Sequence, residues 1–117
     1  MKKIKKSAED RELDRIWKKL NKIGSEIGIR YTDWSITEVA DNMDDIPFPK
    51  ATSINYEVDD YWGRSCIMPI RENSTWKEIW ETIDCLVQYS LDHHHRFIED
   101  VRVEGKDETI LTFSCGS

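Results

Sequence analysis

The fold class that this sequence predicts is α+β, with two helices on one face of an antiparallel sheet of about five strands. Two stretches repeat their apolar residues every three or four positions, as one side of a helix does. Shorter stretches alternate apolar with polar residues, as half-buried strands do. The connections between these stretches are short, which favours antiparallel neighbours. The predicted order is αβββαββ, in two layers.

The first predicted helix follows a basic tail over residues 1–6 and opens a single domain that is expected to cover residues 7–117. Ser7 occupies the N-cap position, and acidic residues in the next turn oppose the positive end of the helix dipole. Either Gly24 or Gly28 is expected to end the helix. The apolar stripe of this helix consists of Leu13, Ile16, Trp17, Leu20 and Ile23.

Three strands are expected next, at residues 29–39, 52–58 and 65–70, where aromatic and β-branched residues are frequent or alternate with polar ones. The third strand contains Pro69, which has no N–H to give to a neighbouring strand and therefore indicates an edge strand or a strand end. Residues 41–50 are predicted to form a loop, because they hold two prolines among acidic and asparagine residues.

The second predicted helix has a well-defined start. Thr75 and Glu78 match a capping box, in which a hydroxyl and a carboxylate bond each other's free backbone N–H groups, so the helix is expected to begin at Trp76. Its apolar stripe is expected to pack on the sheet. The residues predicted for the solvent side are Lys77, Glu78, Glu81, Asp84 and Gln88.

A β-hairpin is predicted to close the chain. Phe97, Val101 and Val103 share one side of its first strand, whereas Ile98 shares the other side with charged residues. Residues 105–107 supply the turn, and a return strand follows.

The net charge of −6 is unevenly divided along the chain. Residues 1–30 hold ten Lys/Arg and five Asp/Glu, which gives +5, whereas residues 31–117 hold seven and eighteen, which gives −11. Such an acidic body repels a phosphate backbone, so duplex nucleic acid is not an expected partner. A basic protein surface is the expected partner instead.

The composition also predicts where the protein works. The chain has no apolar run of about eighteen residues, and its basic start is followed by polar sequence instead of the apolar stretch of a secretory signal. We therefore expect a cytoplasmic protein without membrane contact. Cys66, Cys85 and Cys115 are odd in number and widely spaced, which predicts reduced thiols and neither a disulfide framework nor a zinc ribbon. No cofactor is expected.

Three histidines, His93, His94 and His95, precede Arg96. Imidazole is a common metal ligand, but adjacent side chains point in different directions on a helix or a strand, so no metal site is predicted. The favoured interpretation is that the histidines cap the C-terminal end of the second helix. The alternative is a pocket in which these histidines and Arg96 bind a small molecule or nucleotide, or serve a metal-dependent enzyme.

Aromatic residues on a charged turn are typical of protein interfaces. The predicted partner-binding residues are Asp44, Asp45, Asp59, Asp60, Tyr61 and Trp62. A competing interpretation is that Trp62 folds over the edge of its own sheet. Self-association through an open sheet edge is a further hypothesis.

The closing segment begins with Asp-His-His-His-Arg-Phe-Ile-Glu at residue 92 and ends with Phe-Ser-Cys-Gly-Ser at residue 117. This segment resembles the ending of small accessory proteins of bacteriophages and mobile elements. The resemblance implies a small acidic cytosolic protein that binds a host component and blocks it. The acidic body and the absence of catalytic spacing give the leading hypothesis, a non-enzymatic module that docks on a protein through acidic loops and an aromatic anchor. The alternative is the ligand-binding or catalytic use of the histidine segment.

Overall fold

The computed structural model describes residues 7–56, 66–91 and 94–116, which form two helices and five strands. The elements are α1 (Ala8–Ile27), β1 (Asp33–Trp34), β2 (Ser53–Tyr56), β3 (Cys66–Pro69), α2 (Trp76–Ser90), β4 (Phe97–Glu104) and β5 (Ile110–Gly116). The α+β class and the order αβββαββ are therefore confirmed. The first strand is shorter than predicted, because residues 30–32 bond to the Asp84 side chain before it and a 3-10 helix at Thr37–Val39 follows it.

The five strands form one mixed sheet in the order β1-β4-β5-β2-β3. β2 pairs with β3, and β4 with β5, in antiparallel fashion, but β2 pairs with β5 and β1 with β4 in parallel. The prediction of a sheet that is antiparallel throughout is wrong. Short connections determine direction only for strands that follow each other directly, and both parallel pairs join strands on opposite sides of α2 in the chain.

Both helices begin where the capping residues predicted. Ser7 Oγ accepts the N–H of Asp10 at 3.1 Å, and Thr75 Oγ1 accepts the N–H of Glu78 at 3.2 Å. The carboxylate of Glu78 completes the capping box by accepting the N–H of Thr75 at 3.2 Å. These bonds are local, which is why the sequence reveals them.

Of the two glycines expected to end α1, Gly28 does so. It adopts the left-handed conformation with φ 80°, and the N–H groups of Gly28 and Ile29 bond back to the carbonyl oxygens of Ser25 and Gly24. Gly24 lies inside the helix beneath the indole of Trp80, where a Cβ would stand 2.9 Å from the ring. Its lack of a side chain lets α1 approach α2.

A β-bulge changes which residues of β4 face the core. The pairing with β5 passes from Ile98 to Asp100, so Glu99 is an extra residue in β4. Ile98 and Val101 are consequently both buried, although simple alternation predicted opposite faces for them.

The helices and strands contribute side chains to one core that is rich in tryptophan. Trp34 packs against both Trp76 and Trp80, with ring centroids 5.6 Å apart in each pair. Phe48 extends this series beyond Trp76 at 5.5 Å. Large aromatic side chains bury much apolar area each, so this series is a main source of stability.

Candidate functional site

An aromatic crevice of about 310 Å³ opens between α1, α2 and the paired strands β1 and β4. Its lining consists of the rings of Trp17, Trp34, Trp80 and Phe97, the polar side chains of Asn21 and Asp33, and Leu20. We call these seven residues the aromatic crevice. Sites that bind small groups are commonly lined in this way, with mostly apolar walls and a few polar atoms.

The floor of the crevice is fixed by core packing. Trp34 is 1% exposed and Trp80 is 3% exposed. The indole N–H of Trp34 donates to the carbonyl oxygen of Ile36 at 3.1 Å, and that of Trp80 donates to the hydroxyl oxygen of Thr32 at 3.0 Å. Because each buried indole N–H has an acceptor, the two rings have little freedom to rotate.

A buried carboxylate holds the segment that leads into β1. Asp84 of α2 accepts the backbone N–H groups of Arg30 at 3.0 Å and Tyr31 at 2.9 Å, and the hydroxyl of Thr32 at 2.7 Å. The helical pattern predicted Asp84 on the solvent side, but the residue is only 7% exposed. The three donors account for this burial, since a carboxylate is tolerated inside a protein when its oxygens are hydrogen-bonded. The bonds position the next two residues, which form β1.

Asp33 supplies the charged group at the rim of the crevice. Arg96 Nε donates to Asp33 Oδ2 at 3.1 Å, and both side chains are close to half exposed. The N–H of Asp33 also donates to the carbonyl oxygen of Arg96 at 2.8 Å, which fixes the two backbones relative to each other. Phe97 lies beside Asp33 across the β1–β4 pair, and α1 contributes the half-buried Trp17.

The chemistry of the crevice favours cations with an apolar body. Among the described residues that line it, Asp33 is the one acidic or basic side chain. Aromatic rings attract cations through their faces, and the carboxylate adds a formal negative charge. The lining therefore suits a group that is apolar along its length and positively charged at one end.

Part of the predicted histidine segment lies next to this site. Arg96 joins the crevice rim through Asp33, whereas His93 lies outside the described residues. The rings of His94 and His95 meet edge to face with centroids 5.8 Å apart. The backbone cap at the end of α2 is Leu91. In the part of the chain that the structure describes, no group of three or more His, Cys, Asp or Glu side chains could hold a metal ion.

Four of the predicted partner-binding residues lie outside the described residues: Asp59, Asp60, Tyr61 and Trp62. The other two lie in the loop at residues 41–50 and contact the first residues of α2. Asp44 pairs with Lys77 Nζ at 2.9 Å, and the backbone carbonyl of Asp45 accepts the N–H of Trp76 at 3.1 Å. The loop at residues 41–50 therefore anchors the helix, while the Asp44 side chain stays largely exposed.

No protein-family model, curated protein or solved structure matches this chain. The resemblance of the closing segment to phage accessory proteins accordingly stays a prediction. Neither of the two described helices is long and apolar enough to cross a membrane.

The sequence patterns do not single out the aromatic crevice. They place Trp17 and Trp80 on apolar stripes, and nothing in them indicates that a gap lies beside the two rings. The one available signal is Arg96, whose guanidinium indicates a nearby anion. The structure supplies that anion as Asp33, more than sixty residues earlier in the chain.

The cysteines lie apart from the crevice, and none of the three is in a disulfide. Burial raises the pKa of Cys66, whose Sγ donates to the carbonyl oxygen of Leu86 at 3.7 Å. A raised pKa keeps this thiol protonated near neutral pH and makes it a weak nucleophile.

Proposed function

We propose that this domain is a non-catalytic binding module that docks on a basic region of a protein partner, with the aromatic crevice at the centre of the contact. The observation that carries the proposal is the crevice itself, a preformed apolar recess with a carboxylate at its rim. Protein interfaces concentrate their binding energy where one partner's side chain fills such a pocket on the other.

An apolar strip on α1 leads towards the crevice and enlarges the surface available for docking. Leu13 is 45% exposed and lies one helical turn before Trp17. Residues four positions apart share one helix face, so these two side chains form a continuous strip. A partner that fills the crevice would also cover Leu13.

The charge distribution supports a basic partner. Residues 31–117 carry a net charge of −11, which attracts a positively charged surface over a distance of about 8 Å at physiological salt. The predicted partner-binding residues would extend the contact beyond the crevice. In this proposal the following residues contact the partner around the crevice: Asp44, Asp45, Asp59, Asp60, Tyr61 and Trp62. The cytoplasm is the proposed location, and inhibition of a host component in the manner of a phage accessory protein is the proposed outcome.

The proposal includes a two-layer arrangement in which both helices cover the same face of the sheet. Ile67 of β3 and Ile110 of β5 support it, because they are 64% and 40% exposed on strands whose alternate residues are more deeply buried. A sheet with one covered and one solvated face is common when antiparallel pairs are present.

Self-association through β3 is a less favoured mode of contact. The N–H of Ile70 donates to the carbonyl oxygen of Thr52 at 2.9 Å, which makes Pro69 and Ser53 a pair without hydrogen bonds to each other. The backbone nitrogen of Pro69 therefore points away from β2, towards the open edge of the sheet. Pro69 offers no N–H there to a further strand, which protects the edge. Light scattering is expected to give the mass of a single chain, and a stable dimer would favour self-association instead.

A second candidate function is the binding of a small molecule in the same crevice. Arg96 favours it, because its guanidinium bonds Asp33 at the rim and could hold an acidic group of a ligand. Native mass spectrometry of the purified protein distinguishes the two functions. A retained metabolite would support this second function, whereas protein that carries none and captures a basic partner supports the first.

The test of the proposed function is affinity capture from host cells with the tagged chain and two strand variants. Phe97→Thr removes an aromatic ring from the crevice, and Ile110→Thr is a matched control because both residues are 40% exposed. Capture of one basic protein is expected to be lost with Phe97→Thr, kept with Ile110→Thr, and weakened between about 50 and about 500 mM NaCl. Equal capture by both variants, or capture that salt does not weaken, would contradict the proposal.

A further inference from the structure

We infer that the aromatic crevice receives an arginine side chain of the partner, with Asp33 as its counter-ion and the indole rings as its walls. The inference rests on the proposed function, because it names the chemistry of the partner that docks there.

The first support is that Asp33 already binds a guanidinium within the chain. Arg96 donates to one oxygen only, Oδ2, through one nitrogen, Nε, at 3.1 Å. A carboxylate can accept two parallel bonds from one arginine, so this contact uses half of its capacity. Within the described residues no other side chain bonds Asp33, and the Asp33 side chain is 43% exposed, so an incoming guanidinium can reach it.

The second support is the aromatic lining. A guanidinium is planar and weakly hydrated, so it stacks on indole and phenyl rings at a small cost in lost hydration. Trp17 and Phe97 are the more exposed rings of the crevice, and Trp34 and Trp80 form its floor. The ammonium group of lysine is more strongly hydrated and gains less in such a recess.

The third support is the match between the remaining lining and the arginine stem. The half-buried ring of Trp17 offers apolar surface on which the three methylene groups of an arginine can pack. Asn21 lies in the same lining and offers an amide oxygen as a second acceptor. A side chain with an apolar stem and five N–H donors at its tip therefore meets a complementary surface along its whole length.

The Arg96–Asp33 pair then acts as an internal competitor for the partner. Exposed ion pairs contribute little to stability, so an incoming arginine displaces Arg96 without loss of the fold. This yields two opposite expectations for the two members of one pair. Asp33→Asn removes the acceptor charge and weakens binding, whereas Arg96→Gln removes the competitor and strengthens it.

The experiment follows the indole N–H signals of the labelled protein by NMR while N-acetyl-arginine methylamide is added. The neutral isostere N-acetyl-citrulline methylamide and N-acetyl-trimethyllysine methylamide are the comparison probes. Asp100→Asn is the matched control for Asp33→Asn, because Asp100 also accepts a hydrogen bond from an arginine, Arg102, at 2.7 Å on the same sheet. The same spectra report whether each variant is folded.

The arginine probe is expected to shift the crevice indole signals saturably, and the citrulline probe to leave them in place. Asp33→Asn should weaken arginine binding about fivefold or more, Arg96→Gln should tighten it about twofold or more, and Asp100→Asn should change nothing. Equal binding of citrulline, tighter binding of trimethyllysine, or an unchanged affinity in Asp33→Asn overturns the inference.

If the arginine probe fails to bind while partner capture still depends on Phe97, the arginine inference falls and the proposed function stands. If the probe binds and no partner is captured, the crevice still binds arginine, but the proposed docking function falls and no partner arginine is left to assign.

Discussion

Asp84 Oδ1 lies 2.7 Å from Thr32 Oγ1, and this hydrogen bond joins the second helix to the residue that precedes β1. The same hydroxyl accepts the indole N–H of Trp80 at 3.0 Å, so a buried series of bonds runs from a crevice ring to a carboxylate. Thr32 directly precedes Asp33. The floor and the charged rim of the aromatic crevice are therefore held by one hydrogen-bonded unit.

Replacing Asp84 with asparagine is expected to lower the free energy of unfolding by about 2–3 kcal/mol. An asparagine offers one acceptor oxygen, and its NH₂ group would face N–H donors that the carboxylate now satisfies. Urea unfolding measures the change. Glu81→Gln, at an exposed position of the same helix, is the control and should stay within about 0.5 kcal/mol of the wild type. Equal losses in the two variants would mean that the buried bonds do not stabilise the fold.

Gly24→Ala is expected to destabilise the protein although alanine is the better helix former. The added Cβ would stand 2.9 Å from the Trp80 ring, and such overpacking costs about 1–3 kcal/mol. Alanine favours the helix by only about 1 kcal/mol over glycine. Thermal melting is the measurement, with the exposed neighbour Ser25→Ala as the control. A Gly24→Ala protein that is more stable than the wild type by about 1 kcal/mol, the full helix preference of alanine, would show that α1 and α2 are not in close contact there.

Leu91→Gly is expected to stabilise the protein. Leu91 ends α2 with φ 64°, a conformation that costs a side-chain-bearing residue about 1 kcal/mol and costs glycine nothing. The Leu91 side chain is largely exposed, so its removal sacrifices little packing. The expected gain in urea unfolding is about 0.5–1 kcal/mol. Leu91→Ala keeps the Cβ and should bring no gain; a gain of the same size with alanine would exclude backbone strain as the cause.

Asp41 is expected to make stability depend on pH in the acid range. Hydrogen bonds from Arg15 and Lys19 hold the pKa of Asp41 below its usual value. The pKa of such a carboxyl is lower in the folded chain than in the unfolded chain, where it is about 3.9, so the ionised group stabilises the fold above that pH. This stabilisation is lost as the pH falls from about 3.9 towards the pKa of the folded chain. Because these ion pairs are about half exposed, Asp41→Asn should melt at only a slightly lower temperature than the wild type at neutral pH. The difference should shrink in strong acid, and a difference that does not change with pH would contradict this account.

Features fixed by neighbouring residues are the ones that the sequence predicted well. The N-caps at Ser7 and Thr75 and the helical end at Gly28 each depend on bonds that span a few residues. Pro69 predicted an edge strand for the same reason, since the missing N–H is a property of the residue itself.

Features that join distant segments were not predictable from local patterns. The parallel pairing of β2 with β5 depends on how the chain returns after α2. The burial of Asp84 depends on backbone N–H groups more than fifty residues earlier in the chain. The helical pattern alone predicts the solvent side for Asp84, because the side chain is charged. The aromatic crevice combines Trp17, Asp33 and Phe97 from three separate elements, and no spacing in the sequence connects them.

The most direct test of the central claim is fluorine NMR of protein labelled with 5-fluorotryptophan, with the captured partner added. Single Trp→Phe variants assign the five signals. The Trp17 signal is expected to shift on binding, because the half-buried ring of Trp17 lines the crevice. A shift confined to Trp62, with Trp17 unchanged, would contradict docking at the crevice.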